Sequence, residues 1–288
     1  MAIDLHIHST ASDGTVPPGE LPAMAAAAGL SAIALTDHDT TAGLGDFLAC
    51  QKDFPGVELI AGVELSSRIG AREIHIVGLF IDQKNRVLQE YLHAMREERI
   101  TRARAMQSKL AALGYVVTDE DLAAVGMQED VPGRPHFAMV LAEKYNFPDT
   151  KSVFDQLLKQ GGAGFVPRAL PPPEEAVKVI KQAGGAAIWA HPFHSRRNEN
   201  NFIARTIREL KIAGLDGLEA YYSEYTPTKT ATALRMAKEY NIVCSGGSDF
   251  HGAVHPQTRM GSGRGGLNVP DELLAALKKA VEPKVVLL

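Results

Sequence analysis

Short apolar runs alternate with amphipathic stretches near both ends of the chain. Apolar runs that finish in polar residues are typical of strands buried in a parallel sheet, and apolar positions three or four apart predict helices between them. The pattern predicts seven principal strands, at 3–8, 31–36, 57–64, 73–80, 186–190, 216–221 and 242–245. Strands that alternate with helices favour parallel pairing, so we expect an α/β fold.

The middle of the chain shows helical patterns without strands. One long helix is predicted over 86–113, and shorter helices at 119–125, 135–144 and 150–159. Gly161-Gly162 and Pro171-Pro172-Pro173 mark the return to alternating strands and helices. We therefore expect three parts, which are a strand-bearing first part over 1–98, a helical insertion over 99–168 and a strand-bearing second part over 169–288.

Composition and charge narrow the range of functions. The 288 residues are 45% hydrophobic and 22% charged, as in ordinary globular proteins. A net charge of −4 argues against binding of duplex DNA. Cys50 and Cys244 form no paired motif, and neither a signal peptide nor a membrane span is evident. We expect a cytoplasmic protein without membrane contact, while its oligomeric state stays open.

Imidazole and carboxylate side chains gather where predicted strands end. His6 and His8 are two residues apart in the first strand, so they face the same side of it. The further residues of this kind are Asp13, His38, Glu64, His75, His191, Asp249 and His251. Mixed nitrogen and oxygen ligands suit Mn²⁺, Zn²⁺ or Fe²⁺. Side chains from so many strand ends converge only if the strands close around a centre, which favours a barrel over an open sheet.

Some of these residues also fit roles without a metal. Asp13 before Gly14 is suited to capping a turn, and a lone buried histidine such as His75 is often a hydrogen-bonded core residue. Glu64, by contrast, would be costly in a dry core unless it is paired or bound to a metal. The Gly246-Gly247 pair predicts a tight turn before Asp249.

Five segments resemble the motifs of the PHP (polymerase and histidinol phosphatase) family, in that family's order. They are Asp4-Leu5-His6-Ile7-His8, Thr36-Asp37-His38-Asp39, Gly62-Val63-Glu64-Leu65-Ser66, Ala190-His191-Pro192 and Ser248-Asp249-Phe250-His251. The resemblance implies a distorted (β/α)7 barrel, interrupted by a small helical domain, and three divalent metal ions. It assigns His6, His8, Glu64 and Asp249 to one ion, Glu64, His75 and His191 to a second, and Asp13, His38 and His251 to the third. Mn²⁺ is the expected ion, with Zn²⁺, Fe²⁺ and Mg²⁺ as alternatives.

The insertion and the late Gly-Gly-Ser-Asp-Phe-His segment are similar to the branch of small phosphoesterases that act on nucleotides. This implies a phosphoric monoester hydrolase that removes the 3′-phosphate of nucleoside 3′,5′-bisphosphates, such as adenosine 3′,5′-bisphosphate, through a hydroxide that bridges the ions. The alternatives are a 5′-3′ exoribonuclease on short 5′-phosphorylated single-stranded RNA, a histidinol-phosphate phosphatase and a non-catalytic metal-binding module.

The substrate requires groups beyond the metal ligands. Arg134 and His136 at a predicted helix start, and Arg168 at the end of the insertion, are candidates for binding a second phosphate. His194, three residues after His191, is the candidate for holding the scissile phosphate or protonating the leaving oxygen. Asp39, beside a predicted ligand, is a second catalytic candidate. Each arginine also fits a surface ion pair, and His194 also fits an exposed loop residue.

Overall fold

The computed structural model describes residues 2–125, 132–194 and 199–282. Each of the seven predicted strands has a counterpart among these residues, and one further short strand precedes the last helix. The strands are β1 (Ala2–Ile7), β2 (Leu30–Leu35), β3 (Glu58–Ile69), β4 (Arg72–Leu79), β5 (Ala186–Trp189), β6 (Gly217–Tyr222), β7 (Val243–Gly247) and β8 (Val269–Pro270).

The strands form one sheet in the order β7-β6-β5-β4-β3-β2-β1-β8. The segment after β7 also reaches β1, because the Asp249 N–H donates to His6 O and the His8 N–H donates to Phe250 O, both at 2.9 Å. The sheet is thereby a nearly closed barrel with helices around it. The predicted α/β barrel is confirmed.

Strand β4 runs antiparallel to both of its neighbours. It pairs with β3 from Gly62 opposite Leu79 to Ile69 opposite Arg72, and its far end pairs with β5. The prediction of parallel pairing is wrong for this strand, although it holds for β1–β2, β2–β3, β5–β6 and β6–β7. The reason is that only two residues separate β3 from β4, and a parallel crossover needs a dozen or so. Gly70, with a φ of 59°, allows the hairpin turn.

Most helices begin and end close to the predicted positions. The α-helices of the described residues are α1 (Leu21–Ala27), α2 (Leu44–Ala49), α3 (Arg86–Ala112), α4 (Asp119–Ala124), α5 (Arg134–Lys144), α6 (Thr150–Val153), α7 (Pro173–Gln182), α8 (Asn200–Ala213), α9 (Pro227–Glu239) and α10 (Glu272–Val281). Helix α6 continues as a π-turn over Phe154–Leu158. Among these helices, none combines the length and the apolar character that a bilayer crossing requires.

The chain divides into two compact units. The first consists of Met1–Tyr91 and Pro171–Leu288, and the second of Leu92–Leu170. The barrel core of the first unit includes Ile3, Leu5, Ile60, Leu79, Ile188, Val269 and Leu277. The core of the second unit is formed by helical residues such as Met106, Leu110, Phe137, Leu141 and Leu158. The predicted insertion over 99–168 lies inside the second unit.

Gly246 and Gly247 end β7 where the backbone passes very close to its neighbours. A Cβ on Gly247 would lie 2.3 Å from His6 Cβ, and a Cβ on Gly246 would lie 2.6 Å from Tyr221 Cβ. The predicted tight turn at this pair is wrong, because both residues belong to the strand. Glycine is required here because any side chain would push β7 away from β1 and β6.

Candidate metal centre

Glu64 lies at the middle of a cluster of histidines. It belongs to β3, and its side chain is fully buried. Its Oε2 lies 3.3 Å from His6 Nε2, 3.4 Å from His8 Nε2 and 2.9 Å from His38 Nδ1. These three histidines come from the ends of β1 and β2, so the parallel pairing of β1, β2 and β3 brings them to one edge of the sheet.

The other carboxylate oxygen of Glu64 faces two more histidines. Its Oε1 lies 3.0 Å from His75 Nδ1 and 3.2 Å from His191 Nε2. His75 belongs to β4 and His191 follows β5, and the N–H of Ala190 donates to His75 O at 3.0 Å. The antiparallel placement of β4 therefore brings both imidazoles to the same carboxylate.

Two further carboxylates join the cluster from loops. Asp249 Oδ1 lies 3.2 Å from His8 Nε2. Asp13 Oδ1 lies 3.2 Å from His251 Nε2, and Asp13 Oδ2 lies 3.8 Å from His38 Nε2. The nine residues predicted as metal ligands thus lie together at one end of the barrel.

Several buried nitrogen and oxygen atoms of this cluster, each able to bind a metal ion, lack a well-aligned hydrogen-bond partner within the described part of the chain. They are His6 Nε2, His8 Nδ1, His8 Nε2, His38 Nδ1 and Glu64 Oε2. A buried polar atom without a hydrogen bond costs roughly 1–3 kcal/mol. Four of these atoms attract one another across 2.9–3.4 Å, and a cation between them would satisfy the nitrogen and oxygen atoms together. Nitrogen and carboxylate oxygen donors of this kind fit divalent metal ions.

Potential ligand atoms within 4.8 Å of one another fall into three groups. The groups are His8, Asp13, His38 and His251; His6, His8 and Glu64; and His38, Glu64 and His75. Glu64, His8 and His38 each belong to two groups, as expected of neighbouring ion sites that share ligands. The membership of these groups differs from the three ligand sets that the family resemblance implies.

The electrostatics of the cluster depend on Glu64. Burial opposes its ionisation, yet attraction to His38 and His6 holds its pKa well below the usual range. Burial likewise opposes a charge on His75, but the Glu64 carboxylate raises the pKa of His75 to about 10. Burial and the neighbouring His38 lower the pKa of His8 to about 4. A neutral His8 imidazole keeps a lone pair available for a cation.

The motifs and the barrel identify the relatives of this chain. The family model described as the PHP domain matches residues 4–158. The chain belongs to the PHP family. A 5′-3′ exoribonuclease of Haemophilus influenzae is 35% identical over 248 residues, which are 86% of this chain and 89% of that protein. A 3′,5′-nucleoside bisphosphate phosphatase of Chromobacterium violaceum is 34% identical over 249 residues, 86% of this chain and 87% of that protein.

A solved structure agrees with the fold of this PHP chain. An amidohydrolase from Chromobacterium violaceum, solved with bound sulfate and no metal, superimposes with a TM-score of 0.80 at 32% identity and covers 97% of each chain. The predicted resemblance to the PHP family is therefore confirmed in sequence and in fold.

Glu219 supports the cluster from behind and was not predicted. Its Oε1 lies 3.1 Å from His6 Nδ1, and its Oε2 accepts the His191 N–H at 2.8 Å. The residue is 3% exposed on β6. A carboxylate at Nδ1 holds the proton there, so that Nε2 of His6 presents its lone pair to the cluster. The sequence does contain an indication of this role, because a charged residue inside the buried run Gly217–Tyr222 requires a buried partner.

Asp4 and Tyr222 also support the cluster, and neither was predicted to do so from the sequence. Asp4 Oδ1 accepts the Ser248 N–H at 2.8 Å, and Asp4 Oδ2 accepts the Gly261 N–H at 2.7 Å. Burial raises the pKa of Asp4 to about 6. The Tyr222 hydroxyl donates to Asp249 Oδ2 at 2.9 Å. These bonds hold the loop that carries Asp249 against β1 and β6.

Three site residues adopt left-handed backbone conformations, which are uncommon outside glycine. The φ angles are 53° at Asp39, 33° at His191 and 56° at Asp249. Each backbone N–H has a specific acceptor, which is Glu64 O, Glu219 Oε2 and His6 O respectively. Such conformations persist where the surroundings over-determine them, and in this protein the acceptors belong to the cluster itself.

The two catalytic candidates occupy different environments. His194 Nδ1 lies 3.1 Å from Glu224 Oε2, and Arg264 pairs with the same carboxylate. The His194 ring centroid is 6.2 Å from that of His191, so His194 adjoins the cluster. The Asp39 carboxylate instead accepts the N–H and hydroxyl of Ser66 at 2.8 and 2.9 Å. These hydrogen bonds help to hold β3 in place, and a catalytic role for Asp39 stays a prediction.

The candidates for binding a second phosphate belong to the second unit. The Arg134 guanidinium lies 5.6 Å from the Phe165 ring centroid and 5.9 Å from that of Phe154, while its Nη1 reaches Leu158 O at 3.5 Å. Aromatic faces therefore hold the side chain of Arg134 in place. Its binding role stays a prediction.

His136 and Arg168 both have structural partners within the second unit. His136 Nδ1 accepts the Gly133 N–H at 3.0 Å and thereby caps the start of α5. Arg168 Nε lies 3.7 Å from Glu98 Oε2. Phosphate binding by either residue would have to coexist with these contacts, and it also stays a prediction.

Proposed function

We propose that this PHP protein removes the 3′-phosphate from nucleoside 3′,5′-bisphosphates and releases the 5′-monophosphate and inorganic phosphate. The observation that carries the proposal is the cluster around Glu64, with five buried donor atoms that have no well-aligned partner among the described residues. The relative of Chromobacterium violaceum named for this reaction supports the choice of substrate.

Three divalent ions, with Mn²⁺ as the expected metal, fit the donor set of the cluster. His6, His8, Glu64 and Asp249 would hold one ion, Glu64, His75 and His191 a second, and Asp13, His38 and His251 the third. When bound, such ions neutralise phosphoryl charge and activate water at neutral pH. Glu64 would serve two of them, since each of its oxygens faces different histidines.

Other residues of the predicted site act on the substrate or position the residues that do. His194 donates a proton to the leaving 3′-oxygen, and Glu224 orients its ring through the 3.1 Å contact at Nδ1. Arg134 and Arg168 supply positive charge for the 5′-phosphate, which arginine binds in a bidentate manner. His136 stabilises the helix start that carries Arg134.

Incubation of Mn²⁺-loaded protein with adenosine 3′,5′-bisphosphate tests the proposal. We expect phosphate release, and chromatography should identify adenosine 5′-monophosphate rather than the 3′-isomer. A Glu64→Gln variant, verified as folded by circular dichroism, should lose activity, whereas Glu239→Gln on the exposed side of α9 should not. Intact substrate, or release of the 3′-monophosphate, would contradict the proposal.

A second candidate function is 5′-3′ exoribonuclease activity at the same site. The observation that favours it is the similarity to the exoribonuclease of Haemophilus influenzae. A short 5′-phosphorylated RNA should then yield mononucleotides progressively from its 5′ end. A capped 5′ end should block this release. Histidinol-phosphate phosphatase and a non-catalytic module, the other two hypotheses, gain no support from the relatives named above.

A further inference from the structure

A cavity of about 600 Å³ adjoins the metal centre on the side of β4 and β5. His75 and His191 belong to both, since each contacts Glu64 and also lines the cavity. This space is therefore within reach of the organic part of a phosphate ester bound at the cluster. Pockets of this volume accommodate small organic ligands such as nucleosides.

Aromatic rings form part of the cavity wall. Phe202 in α8 lines it and is partly exposed, whereas Trp189 at the end of β5 lines it with only 3% of its surface exposed. Their ring centroids are 6.4 Å apart at an interplanar angle of 77°. The Arg72 guanidinium lies 4.4 Å above the Phe202 ring. Flat rings and a flat guanidinium are surfaces on which a planar heterocycle stacks.

The charged side chains of the described cavity wall pair with one another. Arg72 is paired with Glu199, and the Glu73 carboxylate lies 3.6 Å from His75 Nε2. Both carboxylates line the cavity together with Arg72. A phosphate placed beside Arg72 would meet Glu199, so Arg72 is poorly suited to binding a second phosphate. A neutral ligand that offers acceptors to Arg72 and donors to Glu199 suits the pair, and the edges of nucleobases carry both kinds of group.

We propose that this cavity binds the nucleobase of the substrate, which stacks beside Phe202, near the buried Trp189, while its edge meets Arg72 and Glu199. The inference rests on the proposed function for the phosphate end of the substrate. It assigns base recognition to β4, β5 and α8 of the barrel unit. Arg134 and Arg168, by contrast, were predicted only to bind phosphate. Base recognition distinguishes nucleotides from other phosphate esters.

Tryptophan fluorescence tests ligand binding in the cavity independently of catalysis. The signal comes from Trp189 alone, because it is the only tryptophan of the chain. Metal-free protein is titrated with adenosine 5′-monophosphate and, as the base-free counterpart, with ribose 5-phosphate. We expect saturable quenching by the nucleotide and none by the sugar phosphate. Equal quenching by both compounds, or quenching by neither, would overturn the proposal.

Kinetics provide the second arm of the test. The Mn²⁺-loaded protein is assayed with adenosine 3′,5′-bisphosphate and with its base-free tetrahydrofuran analogue. Stacking and edge contacts to one base contribute about 1–3 kcal/mol, so Arg72→Ala and Phe202→Ala should each lower kcat/KM for the nucleotide by about 5- to 150-fold. Their kcat/KM for the base-free analogue should not change. Phe202→Leu keeps most of the side-chain volume if the alanine variant fails to fold.

Arg86→Ala is the matched control, because Arg86 is an exposed arginine in an ion pair with Glu90 and does not line the cavity. It should leave both substrates unaffected. If Arg72→Ala slows both substrates equally, the cavity binds phosphate and the proposal is wrong. Failure to release phosphate from either compound would instead contradict the proposed function, and the fluorescence titration would still decide the occupant of the cavity.

Discussion

At the scale of single residues, the site depends on which nitrogen of each histidine faces the cluster. His6 turns Nδ1 to Glu219 at 3.1 Å and Nε2 to Glu64 at 3.3 Å. A carboxylate can only accept, so Glu219 favours a proton on Nδ1, and Nε2 beside Glu64 is then the nitrogen that can bind a cation. Glu219 accepts the His191 N–H with its other oxygen. One buried carboxylate thus orients two site residues.

Replacement of Glu219 by glutamine should weaken metal binding. If the amide oxygen accepts the His191 N–H, the amide nitrogen faces His6 Nδ1 and favours the tautomer with its proton on Nε2. Loss of such an outer carboxylate typically lowers metal affinity about 10- to 100-fold. Competition with a fluorescent chelator measures this for Mn²⁺. Glu239→Gln serves as the control, and an unchanged affinity in Glu219→Gln would show that Glu219 does not set the tautomer.

At the scale of elements, closure of the barrel depends on how near β7 approaches β1. The two strands meet where Gly247 passes His6, at a distance that leaves no room for a Cβ. The Asp249 N–H then bonds to His6 O, and this places the Asp249 carboxylate beside the histidines. The same few residues therefore close the sheet and assemble the cluster.

Gly247→Ala should destabilise the fold and disturb the cluster together. The added methyl group would lie 2.3 Å from His6 Cβ, and overpacking of this kind costs about 1–3 kcal/mol. Gly45→Ala is the control, because nothing lies within 4 Å of its added Cβ and alanine stabilises a helix relative to glycine by about 0.5–1 kcal/mol. Thermal unfolding of both variants measures the difference. A melting temperature of Gly247→Ala at or above that of the parent would contradict the close approach.

At the scale of the whole molecule, the candidate metal centre brings together side chains from five strands and the residues that follow them. His6 of β1, His75 within β4, and His38 and His191 just after β2 and β5 surround Glu64 of β3. Without a ligand, this arrangement concentrates buried groups that lack aligned partners among the residues that the structure describes. Bound cations would satisfy them and would add connections across the sheet.

Metal removal should therefore lower the thermal stability of the entire chain. A ligand that binds only the folded state at one hundred times its Kd contributes about 2.7 kcal/mol. We expect the melting temperature to fall by several degrees on treatment with EDTA and to recover with added Mn²⁺. The Glu64→Gln variant should show a much smaller response. Identical melting curves with EDTA and with millimolar Mn²⁺ would show that no structural metal is bound.

Local patterns were sufficient for the elements and for the kinds of site residue. Apolar periodicity depends on whether a segment is buried on one face or on two, so it locates strands such as 3–8 and helices such as 86–113 without tertiary information. His6, His8 and Glu64 were identifiable because imidazole and carboxylate groups at the ends of apolar strands are costly unless bound. These properties belong to each segment by itself.

The tertiary structure decided what depends on proximity between segments. The antiparallel β4, the need for Gly247, the role of Glu219 behind His6 and the cavity between Arg72, Trp189 and Phe202 all involve residues far apart in sequence. A local pattern records burial but not the neighbour that causes it. The sequence by itself determined the elements, the family and the ligand chemistry, and only the folded chain decided which groups orient the ligands and which space beside them receives the substrate.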